Sequence, residues 1–393
     1  MTPSVALPAP AASARDRWIA WTATLLAATF FVTVSQPVLP YARSHDFPPF
    51  YFASQLVLQG RFQDLYDPGI QEKMERALVP DVPVLTPFVR PPFYALVWAP
   101  LSLLPFDVAF VAFLLGQVAA LAGLWWWAWR RFGPQALIFS ALFVPTAFGI
   151  INGQDCVVML AAVLCGWLAL ERGRDGWAGA ILALALFKFH LLLLLAPAMM
   201  LRRKWRMLAA YAAVGAAEAA LSLALLGPDG VRQYVRLLTA KNIETISPSP
   251  ERMMNVYAIL TNLWIETPWT SILAVGTVLA AAWIGIRKAR EDWQWFWIAA
   301  AGSILVAPHV YEYDAALLLP AMLMCLSLTA TDRTSGWLRL AAATAALPVP
   351  YLCTLLGRPW AIAPSLVVAV WFGCLVAWTA RPREDNFTLV RTT

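Results

Sequence analysis

Residues 107–131 read DVAFVAFLLGQVAALAGLWWWAWRR. Between Asp107 and the closing Arg130 and Arg131 there is no charge, over a length that suits a helix crossing the hydrocarbon layer, about 20 residues. Apolar runs of this kind recur near 18–38, 135–151, 155–171, 205–227, 269–287, 293–308, 312–330, 337–356 and 360–380. The chain of 393 residues is 60% hydrophobic and 13% charged. A soluble domain would carry about 25% charged residues. The expected fold class is therefore an all-α integral membrane protein, a polytopic bundle of about 12 transmembrane segments, with short helices in its first outer loop.

Two segments resist simple assignment. Residues 176–202 are long enough, at about 1.5 Å per residue, for one tilted helix or for two half-helices broken around Lys188. Residues 93–105 are short for a span and lie between prolines, which fits an interfacial or re-entrant piece.

Basic residues choose the threading. With 176–202 as a broken hairpin, Arg15/Arg17, Arg130/Arg131, Arg172/Arg174, the Arg202–Arg206 cluster, Arg287/Lys288/Arg290, Arg333/Arg339 and Arg381/Arg383/Arg391 share one side. These are most of the 29 Lys and Arg, largely in short loops, and they mark the cytoplasmic side. A net charge of +6 is thus read as topology rather than as nucleic-acid affinity. The expected organisation is a cytoplasmic tail (1–17), a catalytic-type module (18–227) including outer loop 39–92, a second outer loop (228–268), a C-terminal transmembrane module (269–380) and a cytoplasmic tail (381–393). The first 14 residues lack the charged start of a signal peptide, so the span that follows is expected to be a retained anchor. The cysteines, Cys156, Cys165, Cys325, Cys353 and Cys374, show neither metal spacing nor a disulfide framework.

Polar residues gather on the outer side of this threading. They are His45 and Asp46, the Asn152-Gly153-Gln154-Asp155 turn, the Lys188-Phe189-His190 break and His309 to Asp314. A charge at mid-bilayer costs about 3 kcal/mol on insertion scales, so ionisable groups at one depth imply a polar cavity. Plainer readings stand beside this one. Asp155 and Asp314 are equally read as helix caps, Lys188 as a snorkelling side chain, Glu218 as a packing hydrogen bond, and the 20 tryptophans mainly as interface belts and lipid-facing bulk. Asp46 stands apart, because prolines and aromatics flank it in Ser44-His45-Asp46-Phe47-Pro48-Pro49-Phe50-Tyr51. A rigidly held, partly desolvated carboxylate is suited to act as a base.

In several ordered motifs the chain resembles glycosyltransferase family 87, of the C-type (GT-C) superfamily. They are Asp46-Phe47 with Phe50-Tyr51; Leu65-Tyr66-Asp67; Pro91-Pro92-Phe93 leading to Pro100–Pro105; Gly153-Gln154; Lys188 before Arg202–Arg206; and Pro308-His309 with Tyr313-Asp314. Arg90 stands where that family often has an aromatic, and Asp155 where asparagine is common. The resemblance implies a GT-C-like architecture and inverting transfer of a hexose, often mannose. The donor would be a polyprenyl-phosphate sugar and the acceptor a glycolipid or glycan, on the extracytoplasmic face of the cell membrane. It implies Asp46 as the catalytic base. Donor and acceptor contacts are expected from His45, Tyr51, Arg90, Asn152, Gln154, Asp155, Lys188, His190, His309, Tyr313 and Asp314. Arg90, Lys188 and His309 are the candidates to stabilise the leaving phosphate. No cofactor is expected and no metal ligand is assigned, since no acidic pair stands at tight spacing. Membrane lipids are expected partners, nucleic acid is not. The alternatives are a transporter or lipid flippase, which also uses broken helices, and a non-catalytic scaffold subunit. The absence of paired hydropathy halves argues against the transporter.

Overall fold

The structure, a computed structural model, describes residues 43–80, 86–239, 249–329 and 332–381, with four isolated positions between 18 and 29. The terminal tails, and the opening span at 18–38 apart from those positions, lie outside the described residues. Among the described residues there is no β-strand, only an isolated antiparallel bridge between Met253 and Tyr311.

Among the described residues, four helices are long and apolar enough to cross a membrane: Phe106–Phe132, Trp205–Thr239, Pro268–Lys288 and Trp360–Ala380. Counting each bent pair of helices as one span raises the number to 7. Those pairs are Pro134–Leu142 with Val144–Ile151, Asp175–Ala183 with Leu186–Leu192, and Arg333–Ala346 with Pro348–Leu356. Prolines explain two of the bends, because Pro145 and Pro348 remove backbone donors at the junctions. The third pair is bent by 106° and carries Lys188 in a non-helical conformation (φ −119°, ψ 51°). The Trp205 helix breaks at Gly227, at φ 65° and ψ 178°, and a second helix follows it to Thr239, where a loop was expected.

Burial sorts the helices into a shell and a centre. Asp292–Val306 is apolar on all sides and is buried from Trp293 through Leu305, which makes it the central post. Pro268–Lys288 and Ala363–Ala380 pack around it and leave Trp269, Leu273, Trp283 and Val370 exposed on the outer surface, as lipid-facing residues are. The tryptophans therefore divide: Trp295, Trp297, Trp371 and Trp378 are core, whereas Trp126, Trp177, Trp264 and Trp360 are exposed. Helix Asp175–Ala183 lies directly against Trp205–Thr239 because Gly179 lets the backbones touch; a Cβ there would stand 2.0 Å from the Met207 carbonyl oxygen. Glu218, expected to make a packing hydrogen bond, keeps its Oε2 without a partner.

The segments 43–80 and 86–92, expected as the first outer loop, are folded onto the bundle. Helices Phe47–Leu58 and Pro92–Ser102 lie side by side. Ser54 Oγ, which bonds the Phe50 carbonyl (2.8 Å) and the Ala95 carbonyl (2.7 Å), joins the two. Asp67 caps helix Pro68–Leu78 through the amide of Ile70, 2.9 Å away. From that helix Gln71 accepts from the amide of Phe88 (2.9 Å) and Glu75 from that of Thr86 (3.0 Å), which fixes the strand-like run toward Arg90. Burial holds the Glu75 carboxyl up at about 8, so it is protonated at neutral pH.

Candidate active site

Asp46 stands at the N-cap of helix Phe47–Leu58, yet its carboxylate makes no capping bond. The sequence supplies the reason. A capping carboxylate takes the amides two and three positions on, and here those are Pro48 and Pro49, which have no N–H. The carboxylate is left for other partners. Its backbone is fixed on both sides: the Asp46 amide donates to the Asn152 carbonyl at 3.1 Å, and Phe47 is wedged among Phe106, Phe110 and Phe113 at 5.0–5.5 Å between ring centroids.

The Asn152–Asp155 turn joins helices Val144–Ile151 and Cys156–Glu171 through Gly153, whose φ of 70° a side chain would strain. Gln117 Nε2 clamps the Gln154 carbonyl at 2.6 Å. The Gln154 side chain then works in two directions. Its Oε1 accepts from Arg90 Nη2 (3.1 Å) and Lys188 Nζ (3.4 Å), while the side chain also favours the ionised form of the Asp46 carboxylate. Behind it lies a closed ion network. Arg90 grips Asp155 with Nε and Nη2 at 3.1 and 3.0 Å. Lys188 Nζ lies 3.0 Å from Asp155 and 2.8 Å from Asp314. Tyr66 holds the Arg90 carbonyl at 2.7 Å, and Tyr94 stacks on Phe187 at 4.1 Å, beside Lys188.

These residues surround a cavity of about 310 Å³. His45, Asp46, Arg90, Asn152, Gln154, Lys188, His190, His309, Tyr313 and Asp314 line it. Of the residues expected from the sequence, Tyr51 and Asp155 are not on its wall. The Tyr51 hydroxyl donates to the Leu104 carbonyl at 2.7 Å, and Asp155 is buried behind Arg90 and Lys188. The cap reading divides: Asp314 Oδ2 accepts the Tyr311 amide at 3.1 Å, whereas Asp155 makes no cap bond and serves the two cations. Lys188 does not snorkel; its ammonium points into the protein and is 2% exposed. Arg252, Tyr311 and Glu312 are also on the wall; the sequence put Tyr311 and Glu312 in the outer polar stretch but assigned none of the three a contact with donor or acceptor. Arg252 and Glu312 stand 60 positions apart, so nothing local in either stretch announces the pair.

Electrostatics set the working states. Loss of water raises the Asp46 carboxyl to about 6, against the opposing pull of Gln154, Arg90 and Lys188. It titrates just below neutrality, where a general base is most useful. Burial works against charge on Arg90, but Asp155 holds the guanidinium above its ordinary range. Burial pushes His309 down to about 4, so it meets a ligand as neutral imidazole rather than as a cation. Its ring lies 6.2 Å from that of His190. Among the described residues no cluster of three or more His, Cys, Asp or Glu is placed to hold a metal ion.

The apolar helices and the polar cavity they enclose define a membrane protein built to take up a polar ligand. The chain belongs to glycosyltransferase family 87, whose profile matches residues 88–310, and is a glycosyltransferase. It is 28% identical over 338 residues to the polyprenol-phosphate-mannose-dependent alpha-(1-2)-phosphatidylinositol pentamannoside mannosyltransferase of Mycolicibacterium smegmatis, covering 78% of this chain and 79% of that protein. No solved structure matches the chain.

Proposed function

We propose that this multi-pass membrane protein transfers a mannosyl residue from a polyprenyl-phosphate donor to a glycolipid or glycan acceptor, with inversion, and that Asp46 is the general base. The observation that carries the assignment is the state of Asp46: a carboxylate lining the cavity, denied its cap by two prolines, its backbone held by Asn152, and raised to about 6. In the reaction the acceptor hydroxyl oxygen attacks the anomeric carbon. The bond from that carbon to the phosphate oxygen breaks, the hydroxyl proton passes to Asp46, and the lipid phosphate leaves with the bonding pair. Arg90 and Lys188 act on this step at one remove. Their charges are matched by Asp155 and Asp314, and they orient Gln154 so that its amide faces Asp46. Neutral His309, with His190 beside it, is placed for hydrogen bonds to sugar hydroxyls. The name of the mycobacterial relative supports mannose and the lipid-phosphate donor.

The cavity opens on the extracytoplasmic face of the cell membrane, within a GT-C-like bundle of about 12 spans. Helix geometry supports this side. Asp155 and Gln154 start helix Cys156–Glu171, whose other end carries Glu171 paired with Arg131 at 2.7 Å. Helix Asp292–Val306 runs from the Lys204–Asp292 pair (2.7 Å) to His309. The site and the basic loops are thus at opposite ends of the same helices, and basic loops favour the cytoplasm.

The test is incubation of the purified protein with radiolabelled polyprenyl-phosphate sugars and membrane lipid extract. Label should move from polyprenyl-phosphate mannose to a lipid or glycan product. Uptake of label into vesicles without covalent transfer would refute the proposal.

A further inference from the structure

We propose that Arg252 and Glu312 form the sugar-phosphate subsite of this cavity: Arg252 receives the anionic phosphate of the lipid-linked donor, and the second carboxylate oxygen of Glu312 accepts a hydroxyl of the transferred hexose. The inference rests on the donor reading above and adds to it the residues that read the donor.

Both side chains line the cavity, and Arg252 Nη2 lies 2.6 Å from Glu312 Oε1. Glu312 is 3% exposed, and its Oε2 has no hydrogen-bond partner. A buried carboxylate oxygen left without a donor is costly and uncommon. An oxygen in that state on a cavity wall calls for a donor that arrives with the ligand, and a sugar hydroxyl is one.

The cations on the wall differ in access. Arg90 and Lys188 side chains are 9% and 2% exposed and are committed to Asp155, Asp314 and Gln154. The Arg252 side chain is 39% exposed. A guanidinium presents five N–H donors in a planar fork, so it can hold Glu312 and a phosphate oxygen together.

Arg252 is also anchored. The Met254 amide donates to the Val310 carbonyl at 2.9 Å, Met253 bridges Tyr311, and Ser365 Oγ bonds the Met253 carbonyl at 2.7 Å. The pair is therefore tied to the same run that carries His309.

The experiment measures donor and acceptor KM, kcat and melting temperature for the full-length protein, for Arg252→Lys, and for Arg252→Leu combined with Glu312→Leu. The double change removes both charges, so neither partner is left buried alone. Binding of a polyprenyl monophosphate is measured on the same samples. The double variant should raise donor KM about 10- to 100-fold, as loss of charge-assisted hydrogen bonds does, and leave acceptor KM unchanged. Arg252→Lys should recover part of the loss. Donors lacking single hexose hydroxyls should identify one hydroxyl whose removal impairs the wild type but not the double variant. Unchanged donor KM and unchanged polyprenyl-monophosphate binding, with only the melting temperature altered, would reduce the pair to an internal ion pair and overturn the inference. Should the wild type transfer from no polyprenyl-phosphate sugar while binding of the monophosphate still depends on Arg252, the donor reading fails and the phosphate contact stands.

Discussion

Gln154 stands between Asp46 and the buried cations: its side-chain oxygen is held by Arg90 and Lys188, and its side chain favours the ionised Asp46 carboxylate. A direct salt bridge to either cation would stabilise the ionised carboxylate and weaken it as a base. The intervening amide transmits orientation with much less of the charge.

Asp46→Asn keeps the shape of the side chain and removes the proton acceptor. Transfer should fall by at least about 10²–10⁴-fold, the usual contribution of a positioned base. The variant should insert normally and melt no lower than the wild type above pH 6, because ionised Asp46 is disfavoured by its loss of water. Steady-state kinetics and thermal melts of the same preparation check both halves, and an active variant would remove Asp46 from the chemistry.

The pH profile follows from the same group. Below about pH 6 Asp46 is protonated and cannot accept the hydroxyl proton, so kcat/KM should rise with pH through about 6 and level above it. The inflection should be absent from the residual activity of Asp46→Asn. A flat profile between pH 5 and 8 in the wild type would argue against Asp46 as base.

Replacing Gln154 by Leu removes the polar side chain that favours the ionised carboxylate. The pKa of Asp46 should then rise, and the acid limb should move to higher pH. Activity lost near neutrality should return in part at alkaline pH. A merely structural role for Gln154 would lower the plateau without moving the limb.

Asp155→Asn leaves Arg90 and Lys188 buried with half their countercharge. Breaking one partner of a buried network is strongly destabilising, about 3–5 kcal/mol. Denaturation in detergent should show this loss, accompanied by reduced activity as Gln154 loses its anchors. Wild-type stability would mean that the network is solvated in the membrane.

Gly179→Ala places a Cβ 2.0 Å from the Met207 carbonyl oxygen, a backbone contact that no rotamer change relieves. Helices Asp175–Ala183 and Trp205–Thr239 must separate, at about 1–3 kcal/mol for overpacking. Thermal melts should fall, while kcat at permissive temperature stays near wild type because neither helix face lines the cavity.

Much of the scaffold was legible because lipid imposes simple rules: long uncharged runs must be helices, and basic loops choose a side. The break at Lys188 could be read from a charge within an apolar stretch, and the special standing of Asp46 from its place beside Pro48 and Pro49. The fate of the tryptophans was not legible. Trp295 and Trp283 look alike in sequence, yet one is in the core and the other exposed, since which face a helix turns to its neighbours depends on packing. The Trp205 helix was expected to end at Gly227-Pro228, and glycine at positive φ does break it there; that a second helix follows, to Thr239, was not legible.

By itself the sequence determined a polytopic helical membrane protein of recognisable family, with its polar residues assembled at one end of the bundle. Only the tertiary structure decided how those residues divide their work. It turned Asp155 away from capping and toward Arg90 and Lys188, took Tyr51 off the wall, made His309 neutral, and brought Arg252 to Glu312 across 60 positions. The reason is physical: hydropathy and charge bias act along the chain and can be read there, whereas hydrogen-bond partners and loss of water depend on which distant segments share a cavity.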